Sequence, residues 1–209
     1  MRRRGPGHGH DYRAADLTPA SDPTFAILFV CTGNQCRSPM AEVITRALTA
    51  SLPVEVSSAG TLPTHSMPSP PETQRAAARL GYDLSDHSSR GLAEEDPASA
   101  DLVIGFELGH IATAVVEYDT EASKTWLLPQ LVKTLEATPP LSSQDDPLVR
   151  PGSLISAAHQ LRGTRPPTFE DQIADPMGRP ASIHEAMART IDDLCKRMVA
   201  QLFTNDLDG

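Results

Sequence analysis

The sequence predicts an α/β fold: a three-layer sandwich with a central four-stranded parallel sheet and helices on both faces. Two observations carry that prediction. Short, unbroken apolar runs of strand length recur along the chain, as strands buried on both faces require. Between them lie segments whose apolar residues repeat at helical spacing, and strands alternating with helices make a parallel sheet. Size agrees with one domain: 209 residues with 39% apolar content support one sizeable core and not two comfortable ones.

The elements follow in order. Residues 1–24, MRRRGPGHGHDYRAADLTPASDPT, have no apolar period. Arg2, Arg3 and Arg4 look like the charged start of a signal peptide, but no hydrophobic stretch follows. His8 and His10 are of a type that holds metals, yet a solvated, disordered tail or an expression remnant is the better reading. The folded domain is expected over residues 25–205. Phe25-Ala26-Ile27-Leu28-Phe29-Val30 is a buried strand. Ser38-Pro39 starts a helix, with proline in its first turn, and Met40, Val43, Ile44, Ala47 and Leu48 follow at helical spacing. Val54-Glu55-Val56-Ser57 is a second strand. Glu72 to Leu80 reads as a helix stopped by Gly81. Asp101 to Phe106 is a third buried strand, Leu108 to Glu117 a helix, and Thr125 to Leu128 a fourth strand. Residues 137–170 carry Pro139, Pro140, Pro147, Pro151, Pro166 and Pro167 and are expected to form a long, less regular connection, with a helix inside it from Leu154 to Leu161. The last helix is announced by a capping box, Ser182-Ile183-His184-Glu185. Its buried stripe is expected to be Ile183, Met187, Ile191, Leu194, Met198 and Leu202. No internal repeat is visible.

Composition excludes several classes of protein. Lysine plus arginine is 18 and aspartate plus glutamate is 27, a formal net charge of −9. So acidic a chain is a poor non-specific binder of nucleic acid or anionic membrane, and any phosphate must be held by a local site against the global field. No apolar run approaches the roughly 18 residues of a membrane span. Cys31, Cys36 and Cys195 are too few for a disulfide scaffold, so the reducing cytoplasm is the expected location.

The chemistry is concentrated after the first strand, in Cys31-Thr32-Gly33-Asn34-Gln35-Cys36-Arg37-Ser38. Ligands bind at the C-terminal ends of strands in an open parallel sheet. The loop also enters a helix N-terminus, where free N–H groups and the dipole favour an anion. Gly33 allows close backbone approach, and Asn34 tolerates a positive φ. Arg37 supplies a planar fork for two phosphate oxygens. The same field favours a thiolate on Cys31, a nucleophile for phosphoryl transfer. Two buried, inert cysteines are the plain alternative. A Cys31–Cys36 zinc pair fits no common ligand spacing, and a Walker A loop would need lysine before the serine.

VCTGNQCRSPMAE resembles the active-site signature of the low-molecular-weight protein tyrosine phosphatases, V-C-x-G-N-x-C-R-S-P. Ser58-Ala59-Gly60-Thr61, Gly81 to Arg90, Ala100 to Ile104 and Asp175-Pro176 resemble further segments of that family in the same order. The resemblance implies a two-step phosphatase with no metal or cofactor, acting on phosphorylated proteins or small phosphate esters, most simply protein phosphotyrosine. It makes Cys31 the nucleophile, Arg37 the oxygen clamp and Asp175 the general acid. The phosphate is cradled by Thr32, Gly33, Asn34, Gln35, Cys36 and Arg37. Ser38, Ser58 and His87 are supporting residues, Ser38 beside the thiolate and all three holding Asn34. Asp175 is preferred because it lies just before the last helix; Asp171 and Glu170 are alternatives, and Asp22, Asp96 and Asp146 also precede proline as turn residues. Arsenate reductases and protein arginine phosphatases share the fold and are the alternative activities. Compact family members carry aromatic residues after the SAGT segment and after Asp-Pro. Here Leu62 to Met67 has none and Met177 follows Pro176, so the cleft is expected to have an open, aliphatic rim, with Phe169 available as one aromatic wall.

Overall fold

The computed structural model describes residues 23–62, 66–140, 146, 148–163 and 167–203. Most of the expected tail, residues 1–22 with His8 and His10, lies outside the described residues. The strands are β1 (Phe25–Cys31), β2 (Val54–Gly60), β3 (Leu102–Gly105) and β4 (Thr125–Leu127), and they form one sheet in the order β2-β1-β3-β4. Every pairing is parallel. Helices follow in chain order: α1 (Arg37–Leu48), α2 (Pro71–Arg79), α3 (Leu108–Glu117), α4 (Leu128–Ala137), α5 (Arg150–Arg162) and α6 (Ala181–Phe203).

The alternation of β1 divides the core. Phe25, Ile27, Phe29 and Cys31 face a large cluster completed by α1, α2, α4, α5 and α6. Leu28 and Val30 face a smaller one completed by Leu92, Ala100 and Ala114 of α3. Register brings Cys31 level with Gly60 and Val30 level with Gly105, so the ends of three strands open at one edge of the sheet.

The structure corrects the sequence reading in three places. Helix α4 was not expected. Leu128, Leu131, Val132 and Leu135 recur at helical spacing and are buried, but they follow β4 with no loop between. Pro129 cannot donate to a strand ladder and costs nothing in the first turn of a helix, so the strand ends at Leu127. Helix α5 starts earlier than expected, at Arg150, with Pro151 in its first turn. The capping box does not form. Helix α6 begins at Ala181, and the Ile183 N–H already bonds the Pro180 carbonyl (2.9 Å), which puts Ser182 inside the first turn. Glu185 reaches across to Arg79 of α2 at 2.5 Å instead of back to its own helix start. Ile183 is exposed, and His184 takes the inward place, its Nδ1 2.8 Å from the Thr73 hydroxyl of α2. Packing of α6 on α2 decides both side chains.

Candidate active site

Between the end of β1 and the start of α1 the chain makes a tight loop from Cys31 to Arg37. Helix α1 has no side-chain cap at its N-terminus, which leaves its first N–H groups for an incoming acceptor. The loop is pinned from behind by Asn34, which adopts φ 50° and is fully buried. Its Nδ2 donates to Ser38 Oγ (2.9 Å) and Ser58 Oγ (2.8 Å). Its Oδ1 accepts from the Arg90 N–H (3.0 Å), and its carbonyl accepts from His87 Nε2 at 2.6 Å. The Ser58 hydroxyl donates a hydrogen bond to Glu42 Oε2 (2.5 Å), and Glu42 is paired with Arg46. Burial lowers the His87 pKa. Gly60 is required by the same wall: a Cβ there would stand 2.8 Å from the Thr32 carbonyl oxygen and 3.0 Å from the Asn34 nitrogen, both backbone atoms of the loop.

The front of the loop is arranged differently. Cys31 Sγ lies 3.0 Å from Ser38 Oγ, which accepts from Asn34 and has two acceptors within reach of its own proton, the sulfur and the Ala59 carbonyl at 3.4 Å. Arg37 is 1% exposed. Its Nη1 bonds the Ile173 carbonyl (2.9 Å) and Glu107 Oε1 (2.8 Å), while its Nη2 meets Asp175 Oδ2 (2.9 Å) and Thr32 Oγ1 (3.4 Å). Its Nε is buried and has no hydrogen-bond partner among the described residues. A buried guanidinium N–H without an acceptor is costly, and an anion in the loop would satisfy it.

The structure gathers Cys31, Arg37, Asp175, Ser38, Asn34, Ser58 and His87 around one loop. Asp175 is separated from its competitors by geometry. Its Oδ1 accepts the Met177 N–H (3.0 Å), fixing the Asp-Pro turn, and its other oxygen reaches Arg37. Asp171 is buried elsewhere, capping Thr168 (2.9 Å) and pairing with Lys133 (3.0 Å). Glu170 is exposed on the same turn. Asp96 and Asp146 close local turns through Ser99 and Leu148, and Asp22 lies outside the described residues.

Sequence reasoning missed Glu107, His110, Gln172 and Glu42. Glu107 and His110 follow β3 directly, and the rule that ligands gather at strand ends points to them. His110 Nδ1 accepts the N–H groups of Phe106 (3.2 Å) and Glu107 (3.1 Å), and its Nε2 is 3.0 Å from Thr32 Oγ1. Burial, then the Arg37 charge, lowers its pKa to about 4. Gln172 ties the segment before Asp175 to α3 by accepting the Leu108 N–H (2.9 Å). Glu42 closes the VCTGNQCRSPMAE stretch, though its partner Ser58 appears only in the fold, and no sequence signal marks Gln172.

The remaining cysteines are core residues. Cys36 accepts a hydrogen bond from Thr73 (3.4 Å), and burial pushes its thiol up to about 11. Cys195 is wholly buried on α6 and is pushed up to about 12. Around the mouth Leu62, Met67 and Met177 are exposed, and Phe169 stands 84% exposed instead of walling the cleft.

An oxyanion set in this loop would meet an unpaired guanidinium N–H, uncapped helix N–H groups and a sulfur nucleophile at the edge of a parallel sheet. Fold and loop together define a cysteine-dependent phosphatase. The chain belongs to the family described as low molecular weight phosphotyrosine protein phosphatase, whose sequence model matches residues 26–142. It is 33% identical over 136 residues to the low molecular weight protein-tyrosine-phosphatase Etp of Escherichia coli K12, covering 65% of this chain and 90% of that protein. It is 28% identical over 181 residues to a protein-arginine-phosphatase of Geobacillus stearothermophilus, covering 86% of this chain and 97% of that one. The crystal structure of a low molecular weight protein tyrosine phosphatase from T. tengcongensis superposes with a TM-score of 0.63 at 27% identity, covering 86% of this chain and all of the other.

Proposed function

We propose that this chain hydrolyses phosphomonoesters, with protein phosphotyrosine as its principal substrate, through a phosphocysteine on Cys31. The observation that carries the reading is the orphaned Arg37 Nε–H in a loop that ends on the Cys31 sulfur. In the first step Cys31 Sγ attacks phosphorus. The S–P bond forms, the ester P–O bond breaks, and Asp175 gives its proton to the leaving oxygen. In the second step Asp175 takes a proton from water as the water oxygen attacks phosphorus. The S–P bond breaks, and inorganic phosphate and the thiolate are released. Arg37 and the loop N–H groups from Thr32 to Arg37 hold the three equatorial oxygens throughout. No helix among the described residues is long and apolar enough to cross a membrane. Three unpaired cysteines support a reducing compartment, and we read the site of action as the cytoplasm.

Phosphoarginine is the second reading, and two features favour it. The half-buried Gln35 offers a polar group on the loop, and the rim is aliphatic where a phenyl clamp would need rings. Arsenate reduction by disulfide relay is disfavoured, because Cys195 is sealed in the core away from the loop. Phosphate release from a phosphotyrosine peptide, a phosphoarginine peptide and a small alkyl phosphate separates these readings. The phosphotyrosine preference is expected to be weakened by roughly ten- to a hundredfold relative to an aromatic-rimmed cleft. A preference of about a thousandfold or more for phosphotyrosine would overturn the open-rim argument. Release from none of the three would overturn the phosphatase reading for this chain.

A further inference from the structure

We propose that the Thr32 hydroxyl is a side-chain donor to the bound phosphoryl group, and that His110 is the positioning residue that aims it. The proposal rests on the reading of residues 31–37 as a phosphate cradle, and goes beyond it by adding a side-chain donor to the backbone N–H groups.

The argument is one of proton placement. His110 Nδ1 faces two backbone donors, the N–H groups of Phe106 (3.2 Å) and Glu107 (3.1 Å). Nδ1 must therefore be an acceptor, and the ring proton sits on Nε2. Nε2 is 3.0 Å from Thr32 Oγ1, so the imidazole donates to the threonine. Arg37 Nη2 approaches the same oxygen at 3.4 Å, and it too can only donate. Both neighbours of the hydroxyl fill its lone pairs, and its own proton must find an acceptor elsewhere. Of the nearby carboxylates, Asp175 takes Arg37 (2.9 Å) on one oxygen and the Met177 N–H (3.0 Å) on the other, and Glu107 takes Arg37 (2.8 Å) on Oε1 while its Oε2 lies 3.6 Å from His110 Nε2; Thr32 Oγ1 bonds neither carboxylate among the described residues. Thr32 Oγ1 lies beside Arg37 Nη2, which shares one edge of the guanidinium plane with the Nε–H, and that N–H has no partner among the described residues. A phosphoryl oxygen placed there accepts from both. His110 is 3% exposed and anchored through the start of α3, so the hydroxyl direction is set before substrate arrives. Burial keeps the imidazole neutral, which preserves the acceptor at Nδ1 on which the chain of donors depends.

The test measures inorganic phosphate binding by calorimetry, and kcat/KM on p-nitrophenyl phosphate, in wild type and four variants. Thr32→Val keeps the shape and removes the donor; roughly tenfold weaker phosphate binding is expected. Thr32→Ser restores the donor and is expected within about twofold of wild type. His110→Asn keeps an acceptor for the N–H groups of Phe106 and Glu107 but removes the Nε2 donor, and is expected to weaken phosphate several-fold with its thermal midpoint reported separately. The Thr32→Val/His110→Asn double variant is expected to bind no more weakly than Thr32→Val alone, because both changes remove one donor. Wild-type affinity in Thr32→Val, failure of Thr32→Ser to rescue, or full additivity in the double variant would overturn the proposal. If the wild type itself neither binds nor releases phosphate, the cradle reading falls and takes this proposal with it. A competent wild type with an unaffected Thr32→Val removes the Thr32 assignment alone.

Discussion

The two sides of the Cys31–Arg37 loop solve opposite problems. Behind it, Asn34 uses both ends of its amide and its carbonyl on Ser38, Ser58, Arg90 and His87, and the Ser58 hydroxyl donates to Glu42. In front, Arg37 is held by two carboxylates, one carbonyl and one hydroxyl, and a buried N–H is still left open. The back wall is satisfied, and its bonds offset the cost of a left-handed Asn34. The mouth is unsatisfied, and that deficit is what an anion corrects. Rigidity and reactivity are thus supplied by different residues a few ångströms apart.

Changes at the mouth should act first on turnover, whereas changes behind the loop should act first on stability and reach phosphate binding only through the loosened loop. The largest effect is expected from Cys31→Ser. Hydrolysis of p-nitrophenyl phosphate should fall by about 10⁴-fold or more, while phosphate affinity is kept because Arg37 and the cradle remain. Near wild-type turnover in that variant would remove Cys31 as nucleophile.

Asp175→Asn comes next. General acid catalysis is worth about 10²–10⁴-fold, and good leaving groups need less of it. Alkyl phosphates should therefore slow far more than p-nitrophenyl phosphate. Equal slowing of both would move the acid to another carboxylate.

Acid stability tests whether the mouth also carries a folding cost. His110 has a folded pKa of about 4 against an ordinary 6.5, so the native state disfavours its proton and the unfolded chain takes it up first. Its contribution is whole above about pH 6.5 and is lost as pH falls toward about 4, on the order of 3 kcal/mol. The lowered pKa of His87 acts in the same direction. Urea midpoints between pH 7.5 and 4.5 should fall in the wild type and fall less in His110→Asn. Equal slopes would show that the imidazole is not held neutral by the fold.

The smallest expected effect lies behind the loop. Asn34→Ala strips partners from Ser38, Ser58 and the Arg90 N–H and should cost about 2 kcal/mol of stability. Phosphate binding should weaken as a consequence of the loosened loop. An Asn34→Ala protein as stable as wild type would mean that the back wall is not what holds the loop.

Much of this was legible before any coordinates. The β1 run, the loop and the helix after it stand in one contiguous stretch, Phe25 to Leu48, where each residue's role follows from its neighbours. Ser58 and Gly60 stand out in the sequence as part of a motif, but the reason for the glycine appears only in three dimensions, where a Cβ would strike the loop backbone. Helix α4 was legible and was missed, because its apolar spacing begins inside the residues that read as a strand. The α6 capping box was read from a valid local pattern that packing overruled.

The sequence by itself determined a four-stranded parallel sheet alternating with helices and the identity of the anion loop, because short-range spacing and backbone chemistry decide those. Tertiary structure decided which of the candidate acids before α6 joins Glu107 on Arg37. Asp175 and Asp171 lie four positions apart in similar polar surroundings. Only the docking of that segment, through the Ile173 N–H on the Phe106 carbonyl (2.8 Å) and Gln172 on α3, turns one to the mouth and the other to Lys133. The same holds for His110, whose proton is assigned by two backbone donors at the turn into α3 and a threonine 78 residues away along the chain. Long-range hydrogen bonds leave no periodic trace in a sequence, because their partners are brought together by the core and not by the local chain.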